Sequence, residues 1–318
     1  QFPLSFAHVA HSYPLQFDPY SMETEVDALP STSTFSGVFV TTRELHSEGP
    51  NEPEVIEEDE FIEIPPGIEL EPIGEGGQAV VYSCHLSIQD ANQKVTIKSY
   101  GAQCSSTELA MLRKLEHANI VKFYGLAKLY GQPALVLEFC DLTVRSVLSN
   151  YPLENAAVSR HALAIARGIG YLHANKTLHR DLKPENVLID SNGVAKLCDF
   201  GIARDFSDHS TLITVMGTRP YMAPELIRNE KCSEKIDVWS FGILLWEMMT
   251  CRRPYEGIDE GVLMYAIGKK KAQLPMPENG EIESLPLLLN RCWAEDPHDR
   301  ASMERVIGLL ANFSEELE

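Results

Sequence analysis

The sequence predicts an α+β fold of two lobes, in which a small β-rich N-terminal lobe with one helix precedes a larger helical C-terminal lobe. Between residues 67 and 140, short apolar runs of the half-buried strand kind are interrupted by a single helical pattern. Between residues 141 and 318, apolar residues recur instead at helical spacing or in longer buried runs. Two such lobes leave a cleft between them, and a cleft is the usual place for a ligand.

Residues 1–66 are predicted to form an acidic and disordered N-terminal tail that precedes a folded domain of residues 67–318. The tail contains 13 acidic residues against one basic residue, Arg43, and shows no sustained period of 2 or 3.6. A Pro-Pro-Gly segment at residues 65–67 marks its end. Two interpretations stay open for the tail: a solvated linker, and an acidic docking or regulatory arm.

The net charge of −19 makes nucleic acid and anionic membrane surfaces poor partners, because the chain repels both. The seven cysteines are dispersed and never spaced as CxxC, which fits a reducing compartment better than a disulfide framework or a zinc site. The sequence shows neither an apolar run long enough to cross a bilayer nor the pattern of a signal peptide. We therefore expect a cytoplasmic protein, with the nucleus as the alternative.

In the N-terminal lobe (residues 67–140), the apolar pattern predicts four strands and one helix. The strands are Ile68–Ile73, Ala79–Tyr82, Lys94–Ile97 and Ala134–Leu137, and the helix is Thr107–Leu115.

In the C-terminal lobe (residues 141–318), amphipathic or buried helices are predicted. Their ranges are Ala156–Leu172, Val238–Thr250, Leu285–Cys292 and Met303–Phe313.

A glycine-rich segment, from Gly74 to Val81, lies between the first two predicted strands. Glycine lets backbone amides come close to phosphate oxygens that a Cβ atom would obstruct. An ordinary hairpin turn is the alternative for such a segment. Because no Gly-Lys-Ser/Thr follows, a Walker-type loop is excluded.

Lys98 comes directly after the third predicted strand, and Glu108 lies in the first turn of the predicted helix. A lone lysine at a strand end is usually a solvated surface residue. A lysine held by a carboxylate would instead be a positioned cation, suited to the phosphate oxygens of a nucleotide.

The strongest signal is His179-Arg-Asp-Leu-Lys-Pro-Glu-Asn186, followed 13 residues later by Asp199-Phe-Gly201. Asn186 and Asp199 supply hard oxygen donors of the kind that Mg²⁺ prefers. Asp181 is then left to accept a proton from an attacking hydroxyl, and Lys183 to neutralise charge on a phosphoryl group. Such a site works through positioning and electrostatics more than through covalent chemistry of its own.

These motifs resemble the signature set of eukaryotic protein kinases, and they occur in the same order. The series continues through Ala223-Pro-Glu225 and Asp237–Gly242 to Arg300, and the resemblance covers about residues 68–313. It implies the bilobal protein kinase fold, with lobes at residues 67–140 and 141–318. It also implies ATP and Mg²⁺ as the nucleotide and the metal, and transfer of the γ-phosphoryl group to protein substrates.

The resemblance assigns roles residue by residue. The catalytic residues are expected to be Asp181 (the base), Lys183, Lys98 and Glu108, and the metal ligands Asn186 and Asp199. The residues expected to bind ATP are Ile73, Gly74, Glu75, Gly76, Gly77, Gln78, Ala79, Val81, Lys98, Glu138, Cys140 and Leu188. The resemblance also implies a stacked spine of Leu112, Phe123, His179 and Phe200, and a buried ion pair between Glu225 and Arg300.

Lys183 and Thr218 resemble residues of serine/threonine kinases, whereas Asp237–Glu247 resembles the tyrosine-kinase-like group, which includes mixed-lineage kinases. That group phosphorylates Ser and Thr, so this specificity is expected, with dual specificity as an alternative. A pseudokinase that binds nucleotide without turnover is a further alternative, as is a small-molecule phosphotransferase, which the Ala-Pro-Glu segment and Thr218 disfavour. Glu185 favours a basic residue upstream of the acceptor.

Arg180 precedes the catalytic acid, as in kinases that are switched by phosphorylation of the activation loop, here residues 199–225. Thr214, Thr211 and Ser210 are the candidate phosphorylation sites. An upstream kinase or a second copy acting in trans would be the partner. A phosphate at Thr214 could pair with Arg180 and order the loop.

The sequence departs from the family pattern in three places. Ala79 stands at the third glycine of the loop, and Thr96 replaces the alanine two residues before the lysine. The gap of ten residues between Lys98 and Glu108 is shorter than is typical, so the loop or the first helical turns must be abbreviated.

Overall fold

A computed structural model gives the structure of the chain. It describes residues 61–75, 79–100, 106–150, 152–205, 216–269, 272–277 and 285–316.

The N-terminal lobe is built on a six-stranded sheet with the order β1-β5-β6-β4-β3-β2. Its strands are β1 (Phe61–Ile62), β2 (Glu71–Glu75), β3 (Val80–Ile88), β4 (Ala91–Ser99), β5 (Phe123–Leu129) and β6 (Gln132–Glu138). One helix, α1 (Ser106–Leu112), follows β4. The fold class predicted from the sequence is therefore confirmed for this lobe.

Side-chain burial explains the order of the sheet. The end of β3 alternates between buried and exposed residues, as expected for a strand with one face on the core. Residues 134–137 of β6 are all buried, as expected for a strand at the centre of the sheet. Cys84, Leu86, Val95, Ile97 and Val136 form the centre of this core.

The predicted boundary of the acidic tail falls too late along the chain. Phe61 and Ile62 form β1, which pairs in parallel with Leu126 and Ala127 of β5. The predicted strand at residues 68–73 also begins later than expected, at Glu71. A turn precedes it, in which the Ile68 N–H donates to the Pro65 carbonyl over 3.3 Å, so the apolar residues 68 and 70 reach the core from outside the sheet.

The predicted helix at residues 107–115 is shorter in the structure. Helix α1 ends at Leu112, and residues 113–114 form a turn, in which the Lys114 N–H donates to the Met111 carbonyl over 3.0 Å. Leu115 is buried as its pattern predicted, but from the loop after the helix.

The C-terminal lobe is mainly helical, as predicted. Its helices are α2 (Val144–Asn150), α3 (Asn155–Ala174), α4 (Pro224–Ile227), α5 (Lys235–Thr250), α6 (Glu260–Gly268), α7 (Leu285–Cys292) and α8 (Met303–Glu316). The sequence predicted α3, α5, α7 and α8 to within three residues at each end and missed the short α2, α4 and α6.

Short strands complete this lobe and frame the segments that carry the motifs. They are β7 (Leu142–Thr143), β8 (Thr177–Leu178), β9 (Val187–Ile189), β10 (Ala195–Leu197) and β11 (Arg204–Asp205). The first sheet has the order β10-β9-β7, and the second pairs β11 with β8. These antiparallel pairings bring residues 179–186 and residues 199–201 together at the base of the cleft between the lobes.

A buried ion pair ties α4 to the segment before α8. The guanidinium of Arg300 donates to both carboxylate oxygens of Glu225, over 2.5 and 2.8 Å, and its Nε donates to the Ala294 carbonyl over 2.8 Å. The side chain of Arg300 also stacks on Trp239, 5.0 Å from the ring centre. The ion pair expected from the family resemblance is therefore present, and its hydrogen bonds offset the cost of burying two charges.

None of the helices in the described part of the chain is long and apolar enough to cross a membrane.

Close packing between α5 and the end of α7 gives a test of the fold. A Cβ atom at Gly242 would lie 2.5 Å from Trp293 Nε1 and 2.7 Å from Cys292 Cβ, whereas one at Gly308 on α8 would meet nothing within 4 Å. We expect Gly242→Ala to lower the free energy of unfolding by about 1–3 kcal/mol through overpacking. We expect Gly308→Ala to raise it by about 0.5–1 kcal/mol, because alanine favours the helix. Urea unfolding measures both values, and a neutral Gly242→Ala would contradict the packing.

Candidate active site

Asp237 in the first turn of α5 holds the backbone of the segment that carries Asp181. Its side chain is fully buried, and its oxygens accept hydrogen bonds from the N–H groups of His179 and Arg180, each over 3.0 Å. Burial raises the pKa of Asp237, but the hydrogen bond with His173 and the other donors outweigh it, so the pKa is lowered and the group is a carboxylate. The carboxylate keeps Arg180 in the left-handed region, at φ 69°, which is costly for a residue with a Cβ atom.

Four hydrogen-bond donors surround the carboxylate of Asp181. Oδ1 accepts from the N–H of Thr218 over 2.9 Å and from its hydroxyl over 2.7 Å. Oδ2 accepts from the ammonium of Lys183 over 2.7 Å and from the side-chain amide of Asn186 over 3.0 Å. Burial alone raises the pKa of Asp181, but the hydrogen bonds from Lys183 and Thr218 outweigh it, so the pKa lies below its ordinary value.

Gly217 allows Thr218 to approach Asp181. Gly217 has a φ of +121°, and a Cβ atom there would lie 2.7 Å from the carbonyl oxygen of Arg180. Only glycine combines this backbone conformation with such a close approach. The hydroxyl of Thr218 also accepts from Lys183 over 2.9 Å, so the three side chains of residues 181, 183 and 218 form one closed network.

Lys98 on β4 is held between two carboxylates. Its ammonium donates to both oxygens of Glu108, over 2.9 and 3.1 Å, and to Asp199 over 2.9 Å. Burial lowers the pKa of Lys98, but the two carboxylates outweigh it, so the pKa is raised and the group is a cation. Burial raises the pKa of Glu108, and the ammonium of Lys98 opposes that rise. The pair therefore forms in spite of the short gap, and the Asp199 side chain stays exposed.

The spine expected from the family resemblance is in part visible as packing. Leu112 and Phe200 are buried, and Phe200 lies with its ring centre 5.3 Å from that of His179. Nε2 of His179 lies 3.1 Å from the carbonyl oxygen of Cys198. Burial raises the pKa of the Cys198 thiol far above its ordinary value, as expected for a packed cysteine and not for a reactive one.

The residues expected to surround adenine lie on both sides of the cleft. On the N-terminal lobe, Val81 on β3 is the Cα partner of Lys98 on β4. Glu138 at the end of β6 and Cys140 just after it connect the lobes, and the Glu138 N–H donates to the Lys122 carbonyl over 2.9 Å. Leu188 on β9 lies on the C-terminal lobe.

The glycine-rich segment is described only in part. Ile73, Gly74 and Glu75 lie in β2, and Gly74 is paired with Val81. Ala79 precedes β3 and is partly buried. Gly76, Gly77 and Gln78 lie outside the described residues, as do the candidate phosphorylation sites Ser210, Thr211 and Thr214.

The oxygen donors of the site fit a magnesium ion that is shared with a nucleotide. The amide nitrogen of Asn186 donates to the backbone and the side chain of Asp181, over 2.8 and 3.0 Å, which leaves the amide oxygen as the ligating atom. Within the described ranges no cluster of three or more His, Cys, Asp or Glu residues forms a complete metal cage. Two protein ligands plus phosphate oxygens is the arrangement that Mg²⁺ usually adopts.

Sequence reasoning did not assign Asp237 and Thr218 to the site. Asp237 belongs to one of the quoted motifs, but no role was assigned to it. An acidic residue at the start of a long apolar helix could have indicated a buried charge, and a buried charge needs hydrogen-bond partners. Thr218 was noted only as a mark of substrate class. Its contacts with Asp181 join residues 37 positions apart, and nothing in the local sequence encodes such a pairing.

Comparison with known proteins gives the same picture as the motifs. Residues 68–309 match the family described as protein kinase domain. Among similar proteins are mitogen-activated protein kinase kinase kinase 12 of Rattus norvegicus (34% identical over 242 residues, 76% of this chain and 27% of that protein), and mitogen-activated protein kinase kinase kinase dlk-1 of Caenorhabditis elegans (36% over 257 residues, 78% and 27%). A third is mitogen-activated protein kinase kinase kinase 13-A of Xenopus laevis (35% over 244 residues, 75% and 24%). The chain spans about a quarter of the length of these relatives.

The hydrogen bonds around Asp181 give a test that does not depend on activity. We expect Lys183→Met to raise the pKa of Asp181 from below its ordinary value of 3.8, because it removes a cationic donor. We expect Thr218→Val to raise it less, because it removes a neutral donor and keeps the N–H. A carboxyl ¹³C titration by NMR measures both values.

The same pKa has a consequence for stability. Because the pKa of Asp181 is depressed in the folded state, its contribution is present above the unfolded pKa and is lost as the pH falls through the folded value. An unchanged or lowered pKa in Lys183→Met would show that the contact of 2.7 Å does not stabilise the carboxylate.

Proposed function

The chain belongs to the protein kinase family, and we propose that it transfers the γ-phosphoryl group of ATP to serine or threonine hydroxyls of protein substrates. One observation carries the proposal: Asn186 links the network of Asp181, Lys183 and Thr218 to the segment that carries Asp199. Its side chain donates to Asp181 over 3.0 Å, and its carbonyl accepts from the Cys198 N–H over 3.0 Å, next to the Asp199 that contacts Lys98. The network is suited to a hydroxyl acceptor, and the Lys98–Asp199 pair to the phosphates of a nucleotide.

In this proposal Asp181 orients the acceptor hydroxyl and accepts its proton. Asp181 is a carboxylate at neutral pH, since its pKa lies below its ordinary value, so it can accept a hydrogen bond from the acceptor hydroxyl and then its proton. Lys183 already contacts Asp181 over 2.7 Å and supplies positive charge where the phosphoryl group passes. Thr218 occupies one face of Asp181, which an incoming hydroxyl has to share.

We propose that Lys98 binds the α- and β-phosphates and that Glu108 fixes its position. Asn186 and Asp199 would hold Mg²⁺, which neutralises phosphate charge when it is bound. Val81 and Leu188 would enclose the adenine ring, and the backbone of residues 138–140 would hydrogen-bond to its edge. The segment of residues 73–79 would cover the phosphates.

A pseudokinase finds no support among these residues. The four side chains whose loss would favour it, those of Lys98, Asp181, Asn186 and Asp199, are present, and they contact one another in two pairs, Lys98 with Asp199 and Asn186 with Asp181. A small-molecule phosphotransferase is disfavoured by the complete Ala-Pro-Glu segment, which the buried Glu225–Arg300 pair fixes in place. Dual specificity stays an alternative that peptide profiling addresses.

We propose further that the chain works in a protein kinase cascade. The relatives named above are mitogen-activated protein kinase kinase kinases, so another protein kinase is the kind of substrate proposed for this chain. An upstream kinase or a second copy in trans would phosphorylate its activation loop. The cytoplasm is the proposed location, and residues 1–60 are proposed to be an acidic tail.

Substitution of the proposed base tests the assignment. We expect Asp181→Asn to lower kcat by about 10²–10⁴-fold with little change in the Kd of Mg-ATP, because the base acts on the acceptor and not on the nucleotide. Asp299→Asn, an exposed substitution outside the cleft, is the matched control and should keep its activity. The measurement is phosphate transfer to a generic protein substrate, together with nucleotide titration.

Two results would contradict the proposal. Nucleotide binding without turnover in the unaltered chain would leave the pseudokinase. Full activity in Asp181→Asn would remove Asp181 as the base.

Phosphorylation of the activation loop gives a further test. Burial lowers the pKa of Arg180, and the neighbouring cation Arg204 lowers it further, so an added phosphate would relieve repulsion between the two guanidinium groups. We expect Thr214→Ala to lower the activity of the phosphorylated enzyme by about tenfold or more, and Thr211→Ala to lower it less. Mass spectrometry of residues 206–215 locates the phosphate. Unchanged activity in Thr214→Ala, with no phosphate in the loop, would disprove the idea.

A further inference from the structure

One arginine of the chain contacts two carboxylates, one in the catalytic segment and one on α5. Glu247 on α5 is buried, and Glu185 in the catalytic segment is partly exposed. Arg145 on α2 lies between them. Its Nε donates to Glu185 over 2.6 Å, and its Nη1 makes a very short contact with Glu247. Its Nη2 donates to the hydroxyl of Tyr221 over 3.1 Å, so each of the three guanidinium nitrogens contacts an oxygen of the chain.

This arrangement opens onto the place where a substrate would bind. One cleft is lined by Arg145 and Glu185 together with Lys183, Thr218 and Arg253. Lys183 and Thr218 are the two side chains that contact Asp181. A peptide whose hydroxyl reaches Asp181 must therefore place neighbouring side chains in or beside this cleft.

Glu185 lines the cleft, whereas Glu247 is buried and reaches it only through Arg145 and Tyr221. Both carboxylates already have cationic or hydroxyl partners within the chain. Burial lowers the pKa of Arg145, but its hydrogen bonds to Glu247 and Glu185 outweigh burial and raise it, so the arginine is a permanent cation. Arg253 lies 3.6 Å from the same oxygen of Glu185 and adds a second positive charge. The hydroxyl of Tyr221 donates to the other oxygen of Glu247 over 2.5 Å.

We propose that Arg145 is a specificity-determining residue. Its guanidinium occupies the site formed by Glu185 and Glu247, where a basic side chain of a substrate would otherwise bind. The chain should accordingly not select arginine or lysine near the acceptor, contrary to the expectation drawn from Glu185 alone. This inference rests on the proposed function and specifies its substrates. They are proteins in which recognition does not require an arginine or lysine near the acceptor hydroxyl.

The physical reason is competition between an internal and an external cation. A substrate arginine loses translational and side-chain freedom when it binds, whereas Arg145 is already in place, with a side chain only 14% exposed. Displacing Arg145 would leave its guanidinium without partners in a partly buried site, which is costly. Like charges also face an incoming basic side chain, at Arg145 and at Arg253.

The test compares peptides that differ at one position. A serine peptide with neutral neighbours is paired with versions that carry arginine in place of glutamine at each of the four positions on either side of the acceptor. The ratio of kcat/KM between the arginine and glutamine versions is measured within one protein, so that a loss of folded enzyme cancels. The Kd of each peptide is measured in parallel by fluorescence anisotropy, which does not require turnover.

We expect a ratio near one or below in the unaltered chain at every position. In Arg145→Gln we expect the ratio to rise about tenfold or more at one position, because Glu185 and Glu247 are then available to the substrate. In the double variant Arg145→Gln/Glu185→Gln the gain should be lost. Arg305→Gln, an exposed arginine on α8, is the matched control and should leave every ratio unchanged.

Several outcomes would overturn the inference. A tenfold preference for arginine in the unaltered chain would show that Arg145 does not block the site. An unchanged ratio and unchanged peptide Kd in Arg145→Gln would show that the two carboxylates do not recognise a basic side chain. If Arg145→Gln does not fold, a tenfold preference for arginine in the unaltered chain still overturns the inference. Failure of the proposed function gives a different result, the absence of phosphate transfer to any peptide by any variant.

Discussion

The fully buried carboxylate of Asp237 is the interaction on which the rest of the site depends. It holds the backbone N–H groups of His179 and Arg180 and contacts His173, and so joins α3, α5 and the catalytic segment at one point. A buried charge is costly unless every partner is present, so the loss of one partner is expected to disturb the positions of the others. Because Arg180 is kept in the left-handed region, the direction of the chain at Asp181 is fixed before any substrate binds.

Around this fixed point, the charges of the cleft are arranged in separate pairs. Lys98 is bound to Glu108 and Asp199, and Lys183 is bound to Asp181. The pKa of Lys98 is raised and that of Asp181 is lowered, so both of these groups stay ionised. The nucleotide and the acceptor hydroxyl therefore meet charges that are already oriented, and little reorganisation is needed when they bind. Electrostatic preorganisation of this kind depends on the N-terminal lobe as much as on the catalytic segment, because Lys98 lies on β4 and Glu108 lies on α1.

The sequence assigns chemistry to residues where a motif is short, but it does not reveal pairing between strands that are distant in the chain. Asp181, Asn186 and Asp199 lie within 19 residues, and their chemistry can be inferred from residue type alone. The strand β1 could not be predicted, because its partners in β5 lie more than 60 residues away and two residues carry no period. The end of α1 was missed for a related reason: Leu115 is buried, but burial does not distinguish a helix from the turn that follows it.

Arg145 shows why a motif does not by itself determine specificity. Glu185 belongs to the catalytic segment, and its charge alone suggests affinity for a basic substrate. That charge is cancelled by an arginine 40 residues earlier in the chain, on a helix that the apolar pattern did not reveal. The same arginine reaches a glutamate 102 residues later, so the electrostatic character of the cleft is set by three distant elements together. In this protein the residues proposed for the reaction lie close together in the sequence, whereas the residues proposed to select the substrate are brought together only by the fold.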